Sequence, residues 1–186
     1  MYKRQLWDSK SFLQQNPEFF INVNVSAKQL ERPDFCRVVL ELLDKTEFPV
    51  KHLCLEITER CRSLPVSVIN ERMAVLRGYG IKFAMDDFGT GSSSSAMALE
   101  MLIDEIKIDM SFIRKILVNK KNKAIVQSMV DFANAANIKS CLEGVENEAL
   151  EDYLRTVGAT WFQGYYYSKP VGADELEILL SNSWKK

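Results

Sequence analysis

Asp86 and Asp87 are adjacent carboxylates that follow the apolar run Ile81-Lys82-Phe83-Ala84-Met85 and precede the glycine-bracketed turn Phe88-Gly89-Thr90-Gly91. Side chains alternate along a strand, so both carboxylates can reach one site only where a strand is ending. Two like charges held side by side repel, and a cation beside or between them relieves the repulsion. The run therefore reads as a metal site at a strand end. Its rival is a plain Asp- and Gly-bearing turn between a strand and a helix. Polar groups recur at or near the ends of the other apolar runs: Asn24, Glu56, Lys107, Glu143 and Gln163. Oxygen-only ligands of this kind suit Mg²⁺ or Mn²⁺ rather than zinc. There are enough carboxylates for two cations, as two-metal phosphoryl chemistry requires. Lys107 could orient the attacking water or neutralise charge developing on a phosphate. Each residue has a plainer role as well. Asn24 could cap a helix, Lys107 could snorkel from a strand end, and Glu143-Gly144-Val145-Glu146 could open a helix with an acidic first turn. Their joint occurrence at successive strand ends favours a site.

The elements that must position these groups alternate between short apolar runs and amphipathic helices. Strands are expected at Phe20 to Val25, Leu53 to Thr58, Ile81 to Met85, Glu105 to Ile108, Ser140 to Leu142 and Trp161 to Tyr165. Pro33 opens a helix with Phe35, Val38, Val39, Leu42 and Leu43 on one face. Ile69, Met73 and Leu76 mark a second helix, stopped at Gly78 and Gly80. Ile125, Met129, Phe132, Ala133 and Ala136 give a third stripe, and Ala173 to Ser181 closes as a helix. Ser92 to Ser95 reads as a loop entering a helix, and Met1 to Gln15 as the last part of one. Six βα units point to parallel strands with right-handed crossovers. A doubly wound sheet would gather its site at one switch point. A barrel places functional residues at many strand ends, as found here. The expected fold is therefore α/β, a (β/α)8 TIM-like barrel, N-terminally incomplete with about six strands present. Residues 1–186 are read as a single partial domain.

With 47% hydrophobic and 26% charged residues, 186 residues suffice for one globular domain with a real core. The net charge of -1 gives no basic excess for a nucleic-acid polymer or an anionic membrane surface. No apolar stretch approaches the roughly 20 residues of a membrane span, and no signal peptide is read at the N-terminus. Cys36, Cys54, Cys61 and Cys141 form no Cys-x-x-Cys pair. Free thiols in a reducing cytoplasm are the expectation. The only histidine, His52, reads as a loop residue before a strand.

Six segments, in order and spacing, carry a family resemblance. They are Asn22-Val23-Asn24-Val25-Ser26-Ala27-Lys28-Gln29-Leu30, Leu55-Glu56-Ile57-Thr58-Glu59, Asp86-Asp87-Phe88-Gly89-Thr90-Gly91, Ile106-Lys107-Ile108-Asp109, Glu143-Gly144-Val145-Glu146 and Gln163-Gly164-Tyr165. Over about residues 20 to 180 the chain resembles the EAL-domain family of bacterial cyclic di-GMP phosphodiesterases. The resemblance implies Asn24, Glu56 and Asp86 as ligands of a first metal, with Asp86 shared and Asp87 on a second. It implies that Lys107 contacts the attacking water, and that Glu143 and Gln163 hold the water network. Glu59 would anchor the Asp-Phe-Gly-Thr-Gly loop, and Glu146 would be a further acid near the site. The implied reaction is hydrolysis of cyclic di-GMP to linear pGpG with Mg²⁺ or Mn²⁺ in the bacterial cytoplasm. The implied partners are cyclic di-GMP, a second copy in a homodimer, and upstream sensor or diguanylate-cyclase domains in a parent protein.

The chain also departs from the family. The namesake Glu-Ala-Leu strand, with its metal-ligating glutamate and a nearby phosphate-contacting arginine, is missing upstream of Asn24. Ser92 replaces an aromatic residue, and Leu142 a small one. The enzymatic expectation is thus a phosphodiesterase domain impaired in this truncated chain. The alternative is a catalytically inactive module that binds cyclic di-GMP or a protein partner.

Overall fold

A computed structural model describes residues 2–58, 64–91 and 94–181. Six strands are present: β1 (Ile21–Val25), β2 (Leu53–Thr58), β3 (Lys82–Phe88), β4 (Glu105–Ile108), β5 (Lys139–Glu143) and β6 (Trp161–Gln163). All pair in parallel, in the order β1-β2-β3-β4-β5-β6. Sequential order without a reversal is the winding of a barrel rather than of a doubly wound sheet. No pairing joins β1 to β6 among the described residues, so the wall is a half-barrel. The two edge strands nevertheless approach at their starts, where the rings of Phe20 and Trp161 lie 5.8 Å apart.

The helices are α1 (Tyr2–Gln15), α2 (Ala27–Leu30), α3 (Phe35–Thr46), α4 (Val66–Gly78), α5 (Ser94–Glu100), α6 (Met110–Ile113), α7 (Lys120–Ala135), α8 (Glu148–Arg155) and α9 (Ala173–Ser181). α1 packs against both α9 and α3, so the first and last helices meet beside the open edges. The short helix α2 carries a reciprocal cap: Ser26 accepts from the Gln29 amide, and the Gln29 side chain accepts from the Ser26 amide. A single turn of 3-10 helix, Val50–His52, leads into β2, and His52 Nδ1 lies 2.7 Å from the Phe19 carbonyl. No described helix is long and apolar enough to cross a membrane. Cys36, Cys54 and Cys141 are free thiols, and Cys61 lies outside the described residues.

Strand alternation divides the sheet chemically. Val23, Val25, Leu55, Ile57, Phe83, Met85, Ile106, Ile108 and Leu142 belong to one buried core with the helices. The register sets Asn24 beside Glu56, Glu56 beside Ala84, Lys107 beside Cys141, and Glu143 beside Gln163 on the opposite, concave face. Two helical stripes differ from expectation by a small rotation. In α3 the buried side chains are Phe35, Val39, Leu43 and Thr46, whereas Val38 is 43% exposed. In α7 they are Val126, Val130 and Ala133, whereas Ile125 is 41% exposed. Adjacent apolar residues on a helix differ by about 100° in direction, and only packing on the sheet selects between them. Strand ends also shift: β3 runs on through both aspartates, and β6 stops at Gln163.

The concave face has a lower layer toward the strand starts, where a cavity of ≈ 960 Å³ opens among Cys54, Lys82, Glu105, Lys139 and Trp161. Glu105 is buried there, one step below Lys107. Burial pushes its carboxyl up to about 7, against the pull of Lys107. The folded chain thus holds this proton more tightly than the unfolded chain. The stabilisation is full below the ordinary glutamate value and is lost as pH rises through 7. Glu105→Gln is expected to remove a stability loss on the order of 3 kcal/mol between pH 4.5 and pH 8. Urea melts across that range check it; parallel wild-type and variant profiles would refute it.

Candidate metal and phosphate site

The site forms at the C-terminal ends of the strands, on the concave face. Its centre is Lys107, a lysine only 5% exposed one residue before the end of β4. Its Nζ lies 2.7 Å from Glu56 Oε1, 2.8 Å from Glu143 Oε1 and 3.8 Å from Asp86 Oδ1. Three neighbouring strands, β2, β3 and β5, thus each contribute one carboxylate to the same ammonium. Burial alone would push the lysine down, but Glu56 and Glu143 together hold it above its ordinary value. Burial pushes Asp86 and Glu143 up, while Lys107 draws both down. The ammonium acts as an internal counter-ion for charges that could not otherwise be buried together.

A break in the β3 ladder explains how Asp86 and Asp87 share one strand end. Met85 pairs with Ile106 and Phe88 with Ile108, so β3 spends one more residue than β4 between these points. This is a bulge, which bends the strand and re-aims its side chains. Asp87 takes φ 56°, a left-handed backbone uncommon for a residue other than glycine. Its carbonyl accepts from both the amide and the hydroxyl of Thr90, closing the turn that follows. Backbone strain of this kind concentrates at functional sites. Gly89, at φ 95°, lies where a Cβ would strike Met129 and Phe112, so the turn can pack closely only with glycine.

Glycine also sets the approach of β5 and β6. Gly144 has φ 82°, and a Cβ there would lie 2.5 Å from the Cβ of Met110. A Cβ on Gly164 would fall on the backbone of Val145. The two segments are instead bonded directly, Val145 N to Gln163 O at 3.0 Å and Tyr166 N to Val145 O at 3.0 Å. Glu143 and Gln163 are thereby carried side by side. Tyr167 donates to Glu151 Oε1 at 3.1 Å, tying the loop after β6 to α8.

The structure brings Glu56, Asp86, Lys107 and Glu143 into contact. Asn24 stands in register beside Glu56, Gln163 beside Glu143, and Asp87 next to Asp86 on the bulge. Glu146 is exposed and faces Arg114, whose Nε is 3.8 Å from its Oε1. Glu59 lies outside the described residues. Asp109, part of the Ile-Lys-Ile-Asp run, caps α6 by accepting from the Ser111 amide. Two concave-face residues escape sequence reasoning. Glu105 sits two residues before Lys107, and Asn22 two before Asn24, so the strand period alone could have found them. Asn22 Nδ2 donates to Glu56 Oε1 at 2.8 Å.

The donors are carboxylates and an amide oxygen, which fit a hard divalent cation by type. Among the described residues, no three His, Cys, Asp or Glu side chains are already drawn together as a cage. The carboxylates are gathered around Lys107 instead.

Comparison with known proteins agrees with the fold. The family pattern described as EAL domain matches residues 1–170. The cyclic di-GMP phosphodiesterase PdeA of Borreliella burgdorferi is 33% identical over 168 residues, covering 90% of this chain and 25% of that protein. The EAL enzyme Bd1971, solved with cAMP and cyclic di-GMP bound, superposes with a TM-score of 0.91 at 31% identity, over 96% of this chain and 50% of that one. The Klebsiella pneumoniae BlrP1 complex with manganese and cyclic di-GMP gives 0.76 at 27% identity, over 90% of this chain and 45% of that one. The chain spans about a quarter of the length of the curated relatives it matches.

Removing the central ammonium should leave the buried Glu56 and the half-buried Asp86 and Glu143 without their counter-ion. Lys107→Met is expected to cost about 3–5 kcal/mol at pH 7. The deficit should shrink as pH falls, because the unpaired carboxylates then take up protons. Urea denaturation at pH 7 and pH 5 measures both effects; an unchanged midpoint would show that the lysine carries no such charge balance.

Proposed function

Because the chain belongs to the EAL-domain family, we propose that it is the catalytic part of a cyclic di-GMP phosphodiesterase, hydrolysing its substrate to linear pGpG. The observation that carries the reading is the convergence of Glu56, Asp86 and Glu143 on Lys107, with Asp87 on a strained bulge beside them.

In this reading Asn24, Glu56 and Asp86 would hold one divalent cation, Mg²⁺ or Mn²⁺, and Asp86 and Asp87 a second. Cations held there would acidify a water and neutralise phosphate charge. Lys107 orients the attacking water, and its fixed charge faces the negative charge that grows on the phosphate oxygens. Glu143 and Gln163, carried side by side at the ends of β5 and β6, hold neighbouring water in hydrogen bonds. Glu59 is assigned the anchoring of the Asp-Phe-Gly-Thr-Gly loop, and Glu146 a supporting role at the rim. The water oxygen bonds to phosphorus, one ester P–O bond breaks, and the leaving oxygen ends protonated. The product is a linear dinucleotide with a terminal phosphate monoester. A homodimer, and upstream sensor or diguanylate-cyclase domains in a longer parent protein, belong to the same proposal.

A second reading is a module that binds cyclic di-GMP without turnover. What favours it is that, among the described residues, no three acidic side chains are already drawn together as a cation cage.

Chromatography of cyclic di-GMP incubated with Mn²⁺ and either this chain or its parent protein separates the two readings. The expected outcome is linear pGpG from the parent and a weaker yield from this chain. Asp86→Asn should lower the rate by at least about 100-fold, the upper range for losing even an indirect metal partner. Binding of cyclic di-GMP in Ca²⁺ by calorimetry, with no product from the parent in Mn²⁺, would favour the module over the enzyme.

A further inference from the structure

Asn22 stands out on the concave face for a polar group it leaves unused. It lies in β1 two residues before Asn24 and pairs in register with Cys54, one step below Glu56. Its Nδ2 reaches diagonally to Glu56 Oε1 at 2.8 Å. Its Oδ1 is buried and has no hydrogen-bond partner among the described residues. Buried amide oxygens are almost always bonded, so an orphan calls for a reason. Rotating the amide would not supply one, because it would set Oδ1 against the Glu56 carboxylate oxygen. Donation to Glu56 therefore dictates the orientation, at the expense of the acceptor. If the position only filled space, an apolar side chain would do so without an orphaned oxygen.

The same Glu56 oxygen also receives Lys107 Nζ at 2.7 Å. One carboxylate oxygen offers about two acceptor sites, and the chain's own donors take both. We propose that Asn22 is a positioning residue for cation binding: with Lys107 it locks Glu56 Oε1 from below, so that Oε2 is the oxygen presented to a divalent cation. The inference rests on the cation reading of the site given above. Asn22 itself touches neither cation nor substrate; it acts through Glu56. Partners that hold a metal ligand in this way alter affinity by about 10- to 100-fold when removed.

The test titrates Mn²⁺ into the full chain by calorimetry and records thermal melting of the cation-free protein. Asn22→Ala is expected to weaken Mn²⁺ binding by about tenfold or more. Its cation-free melting temperature should hold or rise, because the orphaned oxygen is gone. Asn22→Leu, close in size and without polar atoms, should weaken binding to the same degree and guards against a cavity effect. Mn²⁺ affinity within twofold of wild type in both variants would overturn the inference and leave the cation reading standing. Loss of the fold in both variants would make Asn22 a structural residue and overturn it as well. No Mn²⁺ binding by the wild-type chain would sink the cation reading, and this inference with it.

Discussion

The concave face of this sheet depends on one buried ammonium. Lys107 is nearly inaccessible and lies within ion-pair reach of Glu56, Asp86 and Glu143. Burying a lone charge is costly, and crowding three like charges at a half-buried site adds their mutual repulsion. Each side therefore needs the other. The arrangement is weak evidence for stability, since the desolvation of such groups can exceed their attraction. What it does achieve is to keep several carboxylates close together around one ammonium. A divalent cation entering such a site would take over part of the charge balance that the lysine supplies.

Around that centre, backbone devices do the aiming. The bulge at Asp86-Asp87 lets one strand end present two consecutive carboxylates, at the cost of a left-handed Asp87. Gly89, Gly144 and Gly164 stand where any side chain would collide with Met129, Met110 or Val145. These close approaches draw the loops after β3, β5 and β6 tightly over the strand ends. The large cavity lies at the other end of the strands, among Lys82, Glu105 and Lys139, away from this chemistry.

Much of the architecture was legible from alternation and helix punctuation. β2 and β4 begin and end as the apolar runs do, and the strand-end positions of Asn24, Glu56, Lys107 and Glu143 follow from those runs. The choice of a barrel over a doubly wound sheet came from the spread of polar groups along successive strands, and the strand order agrees with it. Less legible were features that arise between elements. The apolar pattern of α3 and α7 includes Val38 and Ile125, which the structure leaves exposed, because both helices carry apolar residues on two adjacent faces. Asn22 and Glu105 carry no strand-end signal, although each shares its strand face with a strand-end polar residue, Asn24 and Lys107.

The sequence by itself determined the cast: hard oxygen donors and one lysine at the ends of parallel strands, in an order that resembles a single family. Periodicity is local, so it survives in the one-dimensional pattern. Only the tertiary structure decided how those residues meet. That Lys107 bridges Glu56 and Glu143, that Asn22 donates to Glu56, and that a bulge interrupts β3 at Asp86-Asp87 are facts of inter-strand register. Register depends on contacts between segments some 20 to 35 residues apart, and no short-range pattern encodes their distances.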